Sequence, residues 1–290
     1  MDETDSPQFP VDADRVRKHY DRLSFFYGMF WGEHLHHGYW NGDETPAHAQ
    51  IQLMEQLARR AGIQPGIHRG SKILDIGCGL GGSAIWLGDL LGCQVKGLTI
   101  SPVQAATAAR KAKARDLGER VHFEVRDANR WKPHPASYDV IWIMESSEHF
   151  PDKKDFFQRC AVALKPGGTL AVCASLRRDG PASPGEQELV AKIAEAMMSA
   201  SVDSLSTYAR WMRDAGLNVT AADDITRNVE PTWAHRPGFG RNLGLKVLAS
   251  LANRPTRRFV KALPLMREAY ASGAMAFGLF VAKKPGAGKP

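Results

Sequence analysis

The sequence predicts a doubly wound α/β fold. Between residues 71 and 174, short apolar runs alternate with segments of helical period, the pattern of a parallel sheet covered by helices. A glycine-rich turn, Gly77 to Gly82, follows the first apolar run and opens a helix. At 290 residues the chain has enough length for that core and a second layer over it.

The elements follow in order. Residues 15–30 carry Val16, Tyr20, Leu23, Tyr27 and Phe30 at helical spacing. Residues 45–61 form a second predicted helix, with Pro46 in its first turn. Residues 71–76 are the first strand, 81–91 a helix and 93–98 the second strand. Ser101 opens a helix that runs to about 115, with Pro102 at its first position. Residues 121–125 are the third strand. Residues 138–143 are the fourth, apolar enough to be buried on both faces. A helix at 152–164 leads through the turn Lys165-Pro166-Gly167-Gly168 into a fifth strand at 169–174.

After Ser175 the alternation stops. Residues 180–185 form a Pro/Gly loop, 186–199 and 204–215 read as helices, and 217–222 as a strand. Scattered prolines between 227 and 266 predict short helices over one end of the sheet, and 273–282 is the last strand. The chain divides into an acidic tail (1–14), a helical cap (15–62), the core (63–180), a lid with remaining core elements (181–272), and a last strand with a basic tail (273–290).

Composition excludes several classes. An apolar share of 43% rules out a disordered chain, and no run approaches a membrane span. The first 14 residues lack the apolar segment of a secretory signal. Cys78, Cys93, Cys160 and Cys173 form no CxxC pair, which predicts reduced thiols and a cytoplasmic protein. From Thr226 onward, twelve Lys and Arg face two Glu, within a net charge of +7. No nucleic-acid-binding motif accompanies them, so they read as a solvated basic face, with a phosphate-bearing substrate or an anionic membrane surface as rivals.

Gly77, Gly79 and Gly82 satisfy GxGxxG, a phosphate-binding pattern. Asp75, however, stands two residues before the first glycine. A carboxylate there repels a pyrophosphate and suits a cationic ligand. S-adenosylmethionine carries such charge in its sulfonium and amino groups. A dinucleotide enzyme would also place an acid after the second strand. Here the segment reads Thr99-Ile100-Ser101-Pro102-Val103-Gln104, where Thr99 and Gln104 can hydrogen-bond a ribose. Asp127, after the third strand, can accept from an adenine amino group. With their strand-end neighbours Ile100, Ala128 and Met144, these complete the predicted cofactor contacts.

Glu145 and His149 follow the fourth strand and are four apart, so one helical turn would put both on one side as proton acceptors. Glu148 points elsewhere at that spacing and reads as structural. In the cap, His34, His36 and His37 cluster beside Tyr39 and Trp40, but no Cys or acid completes a zinc set and no metal is expected. Phe25, Phe26, Tyr27, Phe30, Trp31, Tyr39 and Trp40 read mostly as packing. Some of them, with Trp211, Trp233, Phe239, Leu263 and Met266 from the lid, would wall an acceptor pocket.

Four stretches carry a family resemblance: Leu35-His36-His37-Gly38-Tyr39-Trp40; the glycine turn with residues 97–104; Met144-Glu145-Ser146-Ser147-Glu148-His149-Phe150-Pro151-Asp152-Lys153; and Pro264-Leu265-Met266 through Tyr270. The chain resembles the gamma-tocopherol methyltransferase branch of the class I methyltransferases. The resemblance implies a Rossmann-like seven-stranded sheet of order 3-2-1-4-5-7-6, closed by a helical cap and lid. It implies S-adenosylmethionine as cofactor, with His36 near its methionine carboxylate and Tyr20 there or at the acceptor. The expected activity is C-methylation of an apolar, electron-rich aromatic natural product, with Glu145, His149 or Tyr20 taking the proton. The missing plastid-type transit segment counts against tocopherol itself. The alternatives are N-methylation of an indole or amine, C-methylation of a prenyl diphosphate, and a non-catalytic module that senses the cofactor or binds membrane surfaces through 254–261. Partners are expected to be a hydrophobic small molecule and neither nucleic acid nor membrane, in a monomer or homodimer.

Overall fold

A computed structural model describes residues 8–9, 11–30, 32–66, 68–234 and 254–286, with backbone alone at 23–30, 254–256 and 258–260. Two helices, α1 (Ala13–Phe30) and α2 (Pro46–Ala61), precede the sheet. The sheet then builds as β1 (Lys72–Ile76), α3 (Gly82–Leu91), β2 (Gln94–Thr99), α4 (Pro102–Lys113), β3 (Val121–Val125), β4 (Tyr138–Met144), α5 (Lys153–Ala163) and β5 (Leu164–Arg177). Helices α6 (Pro184–Met197) and α7 (Leu205–Asp214) lead to β6 (Asn218–Asp224). Two single-turn helices, α8 (Thr226–Val229) and α9 (Pro231–Ala234), follow, and α10 (Arg254–Ala271) delivers the chain to β7 (Met275–Lys283).

The strand order is β3-β2-β1-β4-β5-β7-β6, as expected, with β7 antiparallel between β5 and β6. Residues 140–143 of β4 are 1% exposed or less, because helices cover both faces of the sheet. One apolar cluster includes Leu53, Ile85 and Met266; the other includes Phe156, Phe157 and Tyr208. Side-chain caps set the helix starts: Thr45 on α2, Ser101 on α4, Asp152 on α5, and a Ser183–Glu186 capping box on α6.

Two expectations fail. The Lys165–Gly168 turn is part of β5, since Leu164 already pairs with Tyr138 across a register shift. Of the short helices expected between 227 and 266, α8 and α9 are present, but residues 254–271 form one helix through Pro264, and 235–253 lie outside the described residues. Pro264 is exposed, while Ala262, Met266, Ala269 and Tyr270 bury the other face. That packing outweighs the hydrogen bond the proline removes.

One buried ion pair ties the sheet's carboxyl end to the segment after α6. Lys153 Nζ lies 2.9 Å from Asp203 Oδ2, both side chains are 1% exposed, and Lys153 also donates to Ser201 Oγ at 2.5 Å. Removing one charge strands the other in the core. Lys153→Met is expected to cost about 3–5 kcal/mol in urea unfolding, and Lys153→Met with Asp203→Leu distinctly less than Asp203→Leu alone.

Candidate functional site

The carboxyl ends of β1, β2 and β4 open on a cavity of about 240 Å³, closed by α1, the 33–37 segment, α6, α9 and α10. A doubly wound sheet places its ligands there. Every candidate for cofactor contact or proton transfer lines this cavity: Asp75, Gly77, Gly79, Thr99, Ile100, Gln104, Asp127, Ala128, Met144, Glu145, His149, Tyr20 and His36.

The turn after β1 is built by backbone geometry. Gly77, Gly79 and Gly81 have φ of +81°, +51° and +84°, left-handed values that favour glycine. The Gly77 and Cys78 amides both donate to the Leu98 carbonyl at 2.9 Å, locking the turn to β2. A Cβ on Gly77 would stand 2.2 Å from Ser146 Cβ, so the turn also packs tightly against the end of β4. A Cβ on Gly79 would meet only Leu35 Cδ1, at 3.7 Å.

Asp75 is 1% exposed, and its Oδ2 has no hydrogen-bond partner. Burial pushes its carboxyl up to about 7, against the opposing pull of the Ala84 amide. A buried, unsatisfied carboxyl oxygen is costly until something donates to it. Beside the open glycine turn, it fits a cationic ligand. The charge at this position and the backbone cradle suit S-adenosylmethionine.

The adenosine-side candidates are partly occupied with one another. Thr99 Oγ1 donates to Gln104 Oε1 at 2.8 Å and accepts the Ser101 amide at 3.2 Å. Asp127 Oδ1 accepts the Asn129 amide at 2.9 Å, so this acid also caps a turn. His36 Nδ1 donates to the His37 carbonyl at 2.7 Å.

Two hydrogen-bonded side-chain pairs also line the cavity. Glu145 has φ of +51°, strained for a non-glycine residue, and this aims it at the cap. Its carboxylate takes two bonds from one residue: the His37 amide donates to Oε1 at 2.7 Å and His37 Nδ1 donates to Oε2 at 2.6 Å. Burial pushes the Glu145 carboxyl up, but the His37 charge and hydrogen bonds outweigh burial and hold it below the ordinary range. Trp233, Tyr270 and Phe277 enclose the His37 ring at 5.0–5.8 Å.

The second pair joins Tyr20 to His149. Tyr20 Oη lies 2.9 Å from His149 Nε2, and His149 Nδ1 lies 2.9 Å from the Met198 carbonyl. A carbonyl only accepts, so Nδ1 carries the proton and Nε2 accepts the Tyr20 hydroxyl. Burial pushes the Tyr20 phenol well above its ordinary value and, against the Met198 bond, pushes His149 down. Met198 itself has φ of +57°.

Several readings need correction. Glu145 and His149 do not share a regular helical turn: the left-handed Glu145 precedes a 3₁₀ turn, Ser147–His149, and each residue reaches the cavity by its own route. Glu148 lines the same cavity. Its carboxyl accepts the Ser175 amide at 2.7 Å, and burial followed by the Glu145 charge raises it to about 7. Trp211 packs with Tyr208 away from the site, and Leu263 and Tyr39 do not line it. Trp40 donates to Thr232 Oγ1 at 2.9 Å and pins α9 to the cap. Trp233 and Met266 do line the cavity. The side chains of Phe25, Phe26, Tyr27 and Phe30, and all of Trp31 and Phe239, lie outside the described residues. The sequence gives no sign of a role for His37. Its partner stands 108 residues away, and no local spacing signals it.

The chain is similar to known methyltransferases. Residues 73–168 match a family described as "Methyltransferase domain". The chain is 31% identical over 287 residues to the chloroplastic tocopherol O-methyltransferase of Arabidopsis thaliana, spanning 93% of this chain and 82% of that protein. The chain belongs to the tocopherol methyltransferase-like branch of the class I S-adenosylmethionine-dependent methyltransferases. It is also 35% identical to the 27-O-demethylrifamycin SV methyltransferase of Amycolatopsis mediterranei, over 76% of this chain and 79% of that one. Its fold matches that of geranyl diphosphate C-methyltransferase from Streptomyces coelicolor A3(2), solved with Mg2+, geranyl diphosphate and S-adenosyl-L-homocysteine. That match has a TM-score of 0.70 and 20% identity, and covers 94% and 97% of the two chains.

This methyltransferase therefore has two glycines with separable effects. Gly77→Ala is expected to cost about 1–3 kcal/mol of folding stability, read as a lower melting temperature, because both φ and the Ser146 contact oppose it. Gly79→Ala carries the strain of its φ but only an ordinary contact with Leu35 Cδ1, so its expected effect is weaker cofactor binding in calorimetry with a smaller loss of melting temperature.

Proposed function

We propose that the chain methylates a ring carbon of an apolar, electron-rich aromatic small molecule of phenol or indole type, in specialised metabolism. One observation carries this reading: the cofactor cradle and both proton-handling pairs open on a single cavity. The rest of its wall is largely apolar, including Val16, Ile193, Met197, Val202 and Met266. Such walls exclude water and suit a hydrophobic acceptor. The four free, buried cysteines support a cytoplasmic location.

When bound, S-adenosylmethionine supplies an electrophilic methyl group on a sulfonium. Asp75 would hold its positive charge, Gly77 and Gly79 would leave room for its backbone-facing edge, and Met144, Ile100 and Ala128 would pack beside it. Thr99, Gln104 and Asp127 would meet the nucleoside, and His36 the amino-acid end. The acceptor becomes a better nucleophile as its O–H or N–H proton leaves. That proton passes to Tyr20 Oη while the Tyr20 proton passes to His149 Nε2. The raised phenol never needs to exist as a free anion. Methylation at a ring carbon leaves one C–H proton to lose: the ionised Glu145 would take it, and His149 would return its proton through Tyr20 to the ring oxygen or nitrogen.

A second reading is O-methylation of the same kind of phenol, favoured by the name of the Arabidopsis relative. It needs the Tyr20–His149 pair and has no C–H proton for Glu145. A prenyl diphosphate fits less well, since Arg126 is the one Arg or Lys among the described lining residues.

The test is a panel of phenols and indoles with isotopically labelled methyl donor, the site of the label being read by NMR. Tyr20→Phe and His149→Gln are expected to lower kcat about 10²- to 10⁴-fold, with cofactor affinity unchanged. Glu145→Gln should do the same if carbon is methylated and leave the rate near wild type if oxygen is. An undiminished rate in both Tyr20 and His149 variants removes that pair from the mechanism.

Asp75 makes a separate prediction. Without ligand, its carboxyl is protonated below about 7. A cation selects the ionised form, so binding there must expel a proton. Cofactor affinity should therefore fall as pH drops below 7, approaching tenfold per pH unit, and level off above it. In Asp75→Asn, calorimetry should show weaker binding with that slope gone.

A further inference from the structure

Glu148 has no part in the scheme above, yet it lines the same cavity and is 6% exposed. Its mounting is firm. The Ala200 amide donates to its carbonyl at 2.7 Å, and the Ser175 amide donates to its Oε1 at 2.7 Å. Its Oε2 lies 3.5 Å from Ser147 Oγ, at the outer limit of a hydrogen bond. Ser147 Oγ is held more closely by Tyr208 Oη, at 3.0 Å. Of the charged groups around it, Glu145 repels its charge, and Lys153 is taken up by Asp203 at 2.9 Å. Tyr20 of α1, Cys173 of β5, Tyr208 of α7 and Tyr270 of α10 also feel its charge. A buried carboxyl with one weakly engaged oxygen is costly unless a ligand bonds to it. The carboxyl is raised to about 7, by burial and then by Glu145, against the Ser175 and Glu148 amides. Near neutral pH it is therefore divided between an acid, which can donate, and a carboxylate, which only accepts. An ether or a carbonyl on a ligand needs the acid. An ammonium calls for the carboxylate. A hydroxyl bonds to either.

We propose that Glu148 is a specificity-determining residue: it holds a second hydroxyl of the acceptor, distinct from the group that loses its proton to Tyr20 and His149. The inference rests on the aromatic-acceptor reading and deepens it. The substrate class becomes a dihydroxylated aromatic ring. Glu148 and His149 are consecutive residues of one 3₁₀ turn, so a single short element sets where both polar groups of the ring are received. The chemistry gives the contact a use. A hydroxyl that donates to a carboxylate pushes electron density into its ring, and methylation at carbon needs a ring carbon rich in electrons. Glu145, already engaged twice by His37, stays apart as the acceptor of the C–H proton. A hydrogen bond to a charged group is worth about tenfold or more in affinity, so a ring with one hydroxyl should bind distinctly more weakly.

The test uses the full chain saturated with S-adenosylhomocysteine, titrated by calorimetry without oxygen at pH 8.5, where Glu148 is ionised. The ligands are phenol, the three dihydroxybenzenes and their monomethyl ethers. At least one dihydroxybenzene is expected to bind about tenfold or more tightly than phenol and than its own monomethyl ether, since a methoxy group cannot donate to a carboxylate. In Glu148→Gln the amide oxygen can keep the Ser175 bond, and the NH2 then only donates. The preference for hydroxyl over methoxy should therefore fall at least fivefold. In Glu148→Leu the preference over phenol should vanish as well. Each comparison is a ratio within one variant, so a general loss of binding does not imitate the result. The glutamine variant serves if the leucine variant melts early. The proposal is overturned if no dihydroxybenzene outbinds phenol in the wild-type chain, or if the matching monomethyl ether binds equally well. It is also overturned if the hydroxyl preference survives in Glu148→Gln. Phenols that bind and are methylated with no gain from a second hydroxyl overturn this proposal alone. Failure of every one of these rings to bind overturns the aromatic-acceptor reading with it.

Discussion

A carboxyl group buried at the end of β1 without a donor for one of its oxygens constrains everything around it. Its own chain leaves Asp75 Oδ2 without a donor: Ala84 supplies one amide, and the Gly77 and Cys78 amides of the glycine turn are taken by the Leu98 carbonyl. A fold that only had to be stable would replace such a group with an apolar one. Keeping it makes sense where a cation completes the site. The same residue decides between the two meanings of a glycine-rich turn after a first strand. With a free amide-rich turn the helix N-terminus attracts phosphate. With a carboxylate in front, the field at that point changes sign and a sulfonium or ammonium is the better guest.

The acceptor half is organised by strain as well as by charge. Glu145 and Met198 both sit in the left-handed region, and each directs one proton-handling pair. Glu145 turns back to meet His37 at two points, while Met198 presents the carbonyl that sets the tautomer of His149. Such conformations persist only where surroundings over-determine them. Here the surroundings are visible. The Lys153–Asp203–Ser201 group holds the segment just after Met198, and the Ala200 amide donates to the Glu148 carbonyl at 2.7 Å. The buried ion pair far from the sheet's centre is therefore connected, in two steps, to the orientation of a histidine in the cavity.

Much of this was legible in the chain, for reasons that differ by element. The β4 strand could be read because burial on both faces demands an unbroken apolar run, and Thr45, Ser101 and Asp152 announced their helices because capping is local chemistry. The start of β5 could not, since Lys165-Pro166-Gly167-Gly168 carries every signal of a turn and pairs only because Tyr138 lies alongside Leu164. Helix α10 was hidden by Pro264, whose cost is local while the packing that offsets it is tertiary. Most of the candidate cofactor-side residues share one cavity because they sit at or near the carboxyl ends of strands, where the topology of a doubly wound sheet gathers them. The role of His37 was not legible, nor that of Glu148, because a pairing across 108 residues or a shared cavity wall leaves no mark in spacing.

The division of labour along the chain bears on how acceptors diverge within one family. The proposed cofactor contacts come mostly from the strand ends β1, β2 and β4, whose positions follow from the parallel register and cannot drift without dismantling the sheet. Acceptor walls come from α1, the 33–37 segment, α6, α9 and α10, none of which is a sheet strand. Side chains on those helices can change size or polarity at modest cost to stability, as on any partly exposed helix face. Two relatives of comparable identity carry names with very different acceptors, a tocopherol and a rifamycin, as expected when only the second set of elements is free to vary. The proton-handling pairs straddle the two sets. His149 and Glu145 belong to the β4 end and Tyr20 and His37 to the cap, so each pair bridges the cap and the sheet and depends on how the two pack together.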